Sequence, residues 1–368
     1  MPKIVNLIID VNQSKSMQRI KYYDTLRFLA IFGVIILHVF QSFPSDTLLL
    51  NFKIISLSEI FKFAVPVFLM ISGALLLGRD IELTDFFKRR FTRLTYPFIL
   101  YLIIYAVILF LLASYVTGFG DLNKWLLKLP FNYNWYFWTI LSLYLAIPVI
   151  NKFIQHSTFK EIEYFLYVLV IGSIIYQIFL VLKFDSFIDL NLFISPIAYL
   201  ILGYWLSHKE FSNKIYKIAV IFFIGATLFK ISGQLGYIPM PLVENYEATR
   251  SMIVSSYIDM GFLQIIQASS LFLIVRYIYS NDNILHSFLT GKKVNWFILS
   301  VSQASYGMYL FHHTLIEPLR CILDNYKFTG PVTLALIVVL TVIIFIICWI
   351  VVLAISNIPF VKKYSGYH

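Results

Sequence analysis

Ten stretches of the chain are apolar for about the length that a helix needs to cross a lipid bilayer, and nothing constrains its fold more. They fall at 24–42, 55–78, 95–116, 134–154, 161–183, 190–207, 213–235, 252–275, 295–320 and 331–357. A hydrocarbon core of roughly 30 Å is spanned by about 20 helical residues. The links between the stretches are short, which leaves no room for an inserted soluble domain. The expected fold is therefore all-α: a polytopic integral membrane protein of about ten transmembrane helices in one bundle. Residues 1–368 would form a single domain, with 1–21 as an N-terminal tail. The shortest stretch, 190–207, contains Pro196 and is the weakest of the ten. Composition agrees, since the 368 residues are 60% hydrophobic and only 13% charged. Soluble domains sit near half apolar and about a quarter charged.

The net charge of +10 invites a nucleic-acid partner, but the placement of the bases argues against one. With ten spans both termini lie on one side. If that side is the cytoplasm, the inner segments hold 19 of the 29 Lys and Arg residues, among them Lys15, Arg79, Lys88, Arg89, Arg90, Arg93, Lys209 and Lys293. Outer loops hold five: Lys53, Lys124, Lys128, Arg250 and Lys327. This is the positive-inside pattern, repeated at every inner loop. The charge is thus mostly topogenic, and the expected setting is the plasma membrane with both termini cytoplasmic. Cys321 and Cys348 cannot make a disulfide framework and have no metal-ligand spacing. The apolar run 4–9 is too short for a signal-peptide core, so the first span is expected to act as the insertion signal.

That first span, YYDTLRFLAIFGVIILHVF at 22–40, carries three ionisable groups. Arg27 and His38 are 11 residues apart, which places them within about 20° on one helix face and about 16 Å apart along it. Asp24 is one turn before Arg27, near enough for an ion pair. An interfacial anchor accounts for Asp24 and Arg27 as well as a functional role does. His38 lies deep in the span. It is either an imidazole bonded to a neighbouring helix or a proton acceptor, the task for which imidazole is best suited near neutral pH.

Other spans carry further polar groups. In FAVPVFLMISGALL, Pro66 should bend the helix, and Ser72–Gly73 thins it for another backbone or a slender ligand. The following DFFKRRFTRLTYP crowds Arg90 and Arg93 onto one face at the membrane. Topogenic charge and anionic lipid explain such a cluster, as does a dock for a polyanion. Trp135, Tyr136 and Trp138 open the fourth stretch, either as an interfacial belt or as a platform for sugar rings. In SYGMYLFHHTLIEPLR, His312, His313 and Glu317 occupy two turns, and His313 and Glu317 are i,i+4 neighbours. Adjacent histidines alone do not make a zinc site, and no third ligand stands at a recognisable spacing, so no metal is expected. Asp259 and Lys230 also fall within spans, with structural pairing as the default. Phosphate-loop, nucleophile-elbow and H-E-x-x-H motifs are absent.

Taken in order, these pieces resemble the acyltransferase-3 family of integral-membrane O-acyltransferases. Its first span reads D-x-L-R with a histidine 11 residues after the arginine, matched here by Asp24, Leu26, Arg27 and His38. The likeness continues through VPVFLMISGALL, RRFTRL, WYF…LYLAIP and SYGMYLFH, covering nearly the whole chain. One departure is His313, which stands where the family usually has proline after the histidine matched by His312. The fourth span looks most like the stand-alone sugar O-acetylases of bacterial surface polysaccharides.

The resemblance implies transfer of an acyl group, most often acetyl, from cytoplasmic acyl-CoA to a hydroxyl of a cell-surface glycan or lipid-linked sugar. No permanently bound cofactor is implied, acetyl-CoA being a donor substrate. His38 would be the general base, with Asp24 and Arg27 beside it in the catalytic set. Arg27, Arg90, Arg93, Ser72 and Gly73 would hold the donor, and Trp135, Tyr136, His312 and Glu317 the acceptor. Two other classes stay open: a transporter or flippase for a glycan or lipid-linked sugar, and a non-catalytic partner in a polysaccharide assembly complex. Transporters of this kind often show inverted repeats, and none is visible.

Overall fold

Long apolar runs with few helix breakers can satisfy their backbone only by coiling on themselves in lipid, and the chain does so. The computed structural model describes residues 19–43, 56–116, 134–181, 196–235, 261–323, 326 and 331–368. Within these residues the regular structure is helical, and each of the ten expected stretches contains a helix. We number them α1 Lys21–Gln41, α2 Ala64–Leu76, α3 Leu83–Val116, α4 Trp135–His156, α5 Phe159–Val181 and α6 Pro196–His208. There follow α7 Asn213–Gln234, α8 Phe262–Ser280, the short α9 Ile284–Thr290, α10 Lys292–Leu323 and α11 Pro331–Ser356. A 3-10 turn, Leu57–Phe61, precedes α2, and the two together count as one span.

Seven candidate spans among the described residues are long and apolar enough to cross a membrane: α1, the turn with α2, α3, α4, α7, α8 and α11. The expected number was about ten. α10 falls short because it is rich in polar residues along its length; α5 and α6 adjoin residues outside the described ones.

α3 also begins well before the expected 95, because DFFKRRF is helical. Lys and Arg are good helix formers, and Asp85 accepts from Arg89 one turn on at 3.0 Å. Glu82 starts this helix by accepting from the Asp85 backbone N–H at 2.7 Å.

The core is where α1, α2, α6, α8 and α10 meet, and α1 is its axis. Leu26, Ala30, Ile31, Ile35 and Val39 of α1 are essentially inaccessible. The tightest contact joins α2 to α6 through two glycines. A Cβ on Gly73 would lie 1.7 Å from the Leu200 carbonyl oxygen, and one on Gly203 would lie 2.0 Å from that of Met70. Of the two occupants that Ser72–Gly73 could admit, the structure thus shows a backbone. α6 gains a further hold from buried Arg276 of α8, which donates to the carbonyls of Leu206 and Lys209 at its end. Those carbonyls would otherwise be unpaired.

Lys230 is resolved by its surroundings. It is wholly buried and lies 3.1 Å from Glu59, which also pairs with Lys62 at 2.9 Å. Lys230 donates to Gln264 at 2.6 Å, and Gln267 donates to Thr227 and to the Glu59 carbonyl at 2.8 and 3.0 Å. The network ties the 3-10 turn to α7 and α8, which is the structural pairing expected of it. Asp259 lies outside the described residues.

After α11 the chain folds back. Tyr101 of α3 donates to the Ser365 carbonyl at 2.8 Å, and Tyr367 donates to Gln303 of α10 at 2.9 Å. Gly366 makes the turn at φ +73°, against the backbone of Gly307.

Candidate functional site

Two groups of polar side chains line α1, one at each end. At its first turn, Asp24 is buried in the bundle. It receives two bonds from Arg19, at 2.8 and 2.7 Å, and a third from Ser302 of α10 at 2.7 Å. Arg27 stands farther off, at 3.8 Å. The expected Asp24–Arg27 pair is therefore real but secondary, and the carboxylate is held chiefly by Arg19 in a two-toothed grip, the strong form of such pairs. Arg19 was not anticipated, because it lies five residues before Asp24 and outside the D-x-L-R pattern.

Arg27 is thereby left for another task. It shares a neighbourhood with Arg90 and Arg93 of α3, since all three act electrostatically on the Tyr144 phenol of α4. Arg79 reaches the same group through Arg90. Residues far apart in sequence thus make one basic end to the bundle. Ser72 and Gly73 lie elsewhere on the bundle, on α2. Ser72 spends its hydroxyl on the Phe68 carbonyl of its own helix at 2.9 Å, and Gly73 is covered by α6. The space beside Gly73 is thus filled by the α6 backbone.

At the other end, α1 brings His38 beside α10. Ring centroids lie 4.4 Å from His38 to His313, 5.1 Å from His38 to His312 and 4.2 Å between the last two. Three imidazoles, two adjacent and one some 275 positions away, form a single cluster. Two of the rings make a hydrogen bond at Nδ1, and the third faces a carboxylate. His38 Nδ1 lies 3.0 Å from the Gln41 amide oxygen, His312 Nδ1 bonds the Tyr309 carbonyl, and His313 Nδ1 faces the Glu317 carboxylate at 3.9 Å. An amide oxygen and a carbonyl can only accept, so both His38 and His312 carry their proton on Nδ1. Their Nε2 lone pairs are left available, and His312 Nε2 has no hydrogen-bond partner among the described residues.

A cavity of about 140 Å³ opens against this cluster, lined by His38, Gln41, Ser42, Trp135, His313, Ile316, Glu317 and Arg320. Trp135 is 40% exposed, so the cavity reaches the surface of the bundle at its rim. His38, Trp135 and Glu317 were expected at one site and are found there. Tyr136 is not on the cavity wall. It is buried between α2 and α10, edge-on to Tyr309 at 5.4 Å and tilted to Phe68 at 6.2 Å. His312 sits behind His38 and His313, wholly buried. Gln41 and Arg320 were missed, and Gln41 was legible as an amide three residues after His38 on the same helix.

The arrangement is a polar-walled pocket with the His38 imidazole at its edge, joined through one helix to a cluster of arginines. No match was found among curated proteins or among solved structures. A family model described as an acyltransferase domain, Acyl_transf_3, matches residues 20–353. With that match over most of its length, and seven helices among the described residues fit to cross a bilayer, the chain belongs to the acyltransferase-3 family of membrane acyltransferases.

Proposed function

We propose that the protein moves an acyl group, acetyl in the first instance, from cytoplasmic acyl-CoA to a hydroxyl of a cell-surface glycan or lipid-linked sugar. The observation that carries this reading is the position of His38. It stands on the wall of a surface-reaching cavity, with Nε2 available, on the helix that also bears Arg27 at the basic end. The phosphates of CoA suit the Arg27, Arg90 and Arg93 group, because guanidinium grips phosphate oxygens in pairs. The basic end would face the cytoplasm, where the bases belong by the positive-inside pattern. The pantetheine arm then runs along α1, a climb of about 16 Å from Arg27 to His38.

At His38 the acceptor hydroxyl lies in the cavity against Trp135, whose indole suits the apolar face of a sugar ring. His38 Nε2 takes the hydroxyl proton as the oxygen attacks the thioester carbonyl. The new C–O bond forms, the C–S bond breaks, and the departing thiolate recovers the proton from the imidazolium. Gln41 fixes the ring by accepting from Nδ1–H, so the same nitrogen serves as base and then as acid.

The test is the ester-linked acyl content of the surface glycan, by NMR before and after mild alkali, in a deletion strain complemented with either form. A positioned base contributes about 10²–10⁴-fold, so His38→Ala, at equal membrane level, should leave esters at background. Full ester content with His38→Ala would remove the base assignment. Unchanged esters in the deletion strain would remove the glycan acceptor and favour transport.

A further inference from the structure

The histidine cluster has more donors than one base needs. We propose that His38, His312 and His313 form a binding site for one divalent transition-metal ion of the zinc class. Taking one ring nitrogen from each, the donor atoms all lie within 4.8 Å of one another. Three imidazoles bound to zinc at about 2.0–2.1 Å bring their donors to roughly 3.3 Å apart in a tetrahedron. Rotations of the rings about χ1 and χ2 cover that difference, since the centroids are already 4.2–5.1 Å apart.

Protonation and surroundings favour an ion equally. Metal-bound histidines almost always turn their other ring nitrogen to a carbonyl, amide or carboxylate, which fixes the tautomer. Here Nδ1 of His38 and of His312 has such a partner, Gln41 and the Tyr309 carbonyl, and His313 Nδ1 faces Glu317. Two helices, α1 and α10, packed along the bundle core, hold the three side chains. Burial of a dication in a bundle is costly unless charge is near. Glu317 is 5% exposed, beside His313 and on the wall of the same cavity, and supplies one negative charge. That cavity offers room for a fourth ligand, a water or an alcohol, as open three-histidine zinc sites require.

The site competes with the proposed base. One lone pair on His38 Nε2 cannot hold an ion and accept a proton, so an ion bound there withdraws His38 from base catalysis. Zinc should then inhibit transfer. Metal binding itself does not depend on the acyltransfer reading.

The experiment uses the full chain purified in lipid nanodiscs, stripped with chelator and titrated with ZnCl2 against a chromophoric competitor, then with CoCl2 by visible spectroscopy. One saturable equivalent, with the intense d–d bands of a four-coordinate cobalt site, is expected. His312→Ala and His313→Ala should each lose that equivalent, and Gln41→Ala should weaken it by about 10–100-fold, as losing a ligand's supporting bond does. Absence of saturable binding in wild type overturns the site. So does binding that survives His38→Ala, His312→Ala and His313→Ala alike. The wild-type cobalt spectrum keeps the test decisive if a variant fails to fold. A parallel assay follows labelled acetyl transfer from acetyl-CoA to endogenous glycan in membrane vesicles. Zinc binding with inhibition reversed by chelator supports both readings. Zinc binding with transfer unchanged or stimulated sustains the site and removes His38 as base.

Discussion

The buried network around Glu59 makes a prediction whose sign follows from counting charges. Glu59 is 1% exposed and faces two ammonium groups, Lys230 at 3.1 Å and Lys62 at 2.9 Å. Removing one partner of a buried ion pair costs about 3–5 kcal/mol, because the survivor is stranded away from water. The two ends of this network differ. Lys230→Met leaves the carboxylate still paired with Lys62, so the loss belongs at the lower limit, about 3 kcal/mol. Glu59→Gln removes the carboxylate that both ammonium groups face, one of them wholly buried, and belongs at the upper limit, about 5 kcal/mol. The double variant Glu59→Gln/Lys230→Met also removes one of those ammonium groups, and should be more stable than Glu59→Gln alone. Thermal melting of purified protein in nanodiscs, followed by tryptophan fluorescence, reads the order. At about 2 °C per kcal/mol for a long chain, the midpoint should fall by roughly 6 °C for Lys230→Met and roughly 10 °C for Glu59→Gln. A Lys230→Met variant less stable than Glu59→Gln, or a double variant no more stable than Glu59→Gln alone, would refute the charge-counting argument.

Two further outcomes follow from particular contacts. Gly73→Ala should part α2 from α6, since its Cβ would meet the Leu200 carbonyl at 1.7 Å. Overpacking of this kind costs about 1–3 kcal/mol or more, whereas Ser72→Ala, losing one bond within its own helix, should melt close to wild type; equal melting points for the two would contradict the packing assignment. Glu82, at the exposed start of α3, has its carboxyl held below the usual glutamate range by the Thr84 hydroxyl and the Asp85 backbone N–H. A depressed acid contributes stability that is present above the unfolded value, about 4.3, and lost as pH falls through the folded one. The difference in melting point between wild type and Glu82→Gln should therefore be present at pH 7 and close towards pH 3; a difference constant with pH would show that the cap does not depend on the charge.

The helices were legible because length and apolarity alone announce them, and the expected positions of α1, α4, α7 and α11 agree with the observed ones to within three residues at each end. Charge was the weaker guide. Lys88–Arg93 looked like a loop because charge marks the water side of a membrane, yet those residues propagate a helix as readily as they leave the bilayer. The acyltransferase-3 resemblance read from D-x-L-R and the distant histidine is matched by the family model over 20–353. Partners across helices were not legible, for a simple reason. Spacing along one helix fixes neighbours at three and four residues and is silent about Ser302 bonding Asp24 from 278 residues away.

For the histidines, however, a usable signal was present. α1 and α10 both start at the basic end and run the same way through the bundle. His38 is 17 residues into α1 and His312 is 20 residues into α10, about 26 and 30 Å along their axes. Side chains at one depth on parallel helices meet if the helices pack, and α1 and α10 pack closely, as the Asp24–Ser302 bond at their other end shows. Depth, counted from the charged end of each span, is thus a coordinate that sequence does supply and that motif spacing ignores. Applied to this chain it works to within about two turns: the three imidazoles agree to about 6 Å, while Asp24 and Ser302, 3 and 10 residues into their helices, differ by about 10 Å and still meet. It does not place Glu59 with Lys230 in the same way, because Glu59 stands on a short 3-10 turn and not within a long helix counted from a charged end.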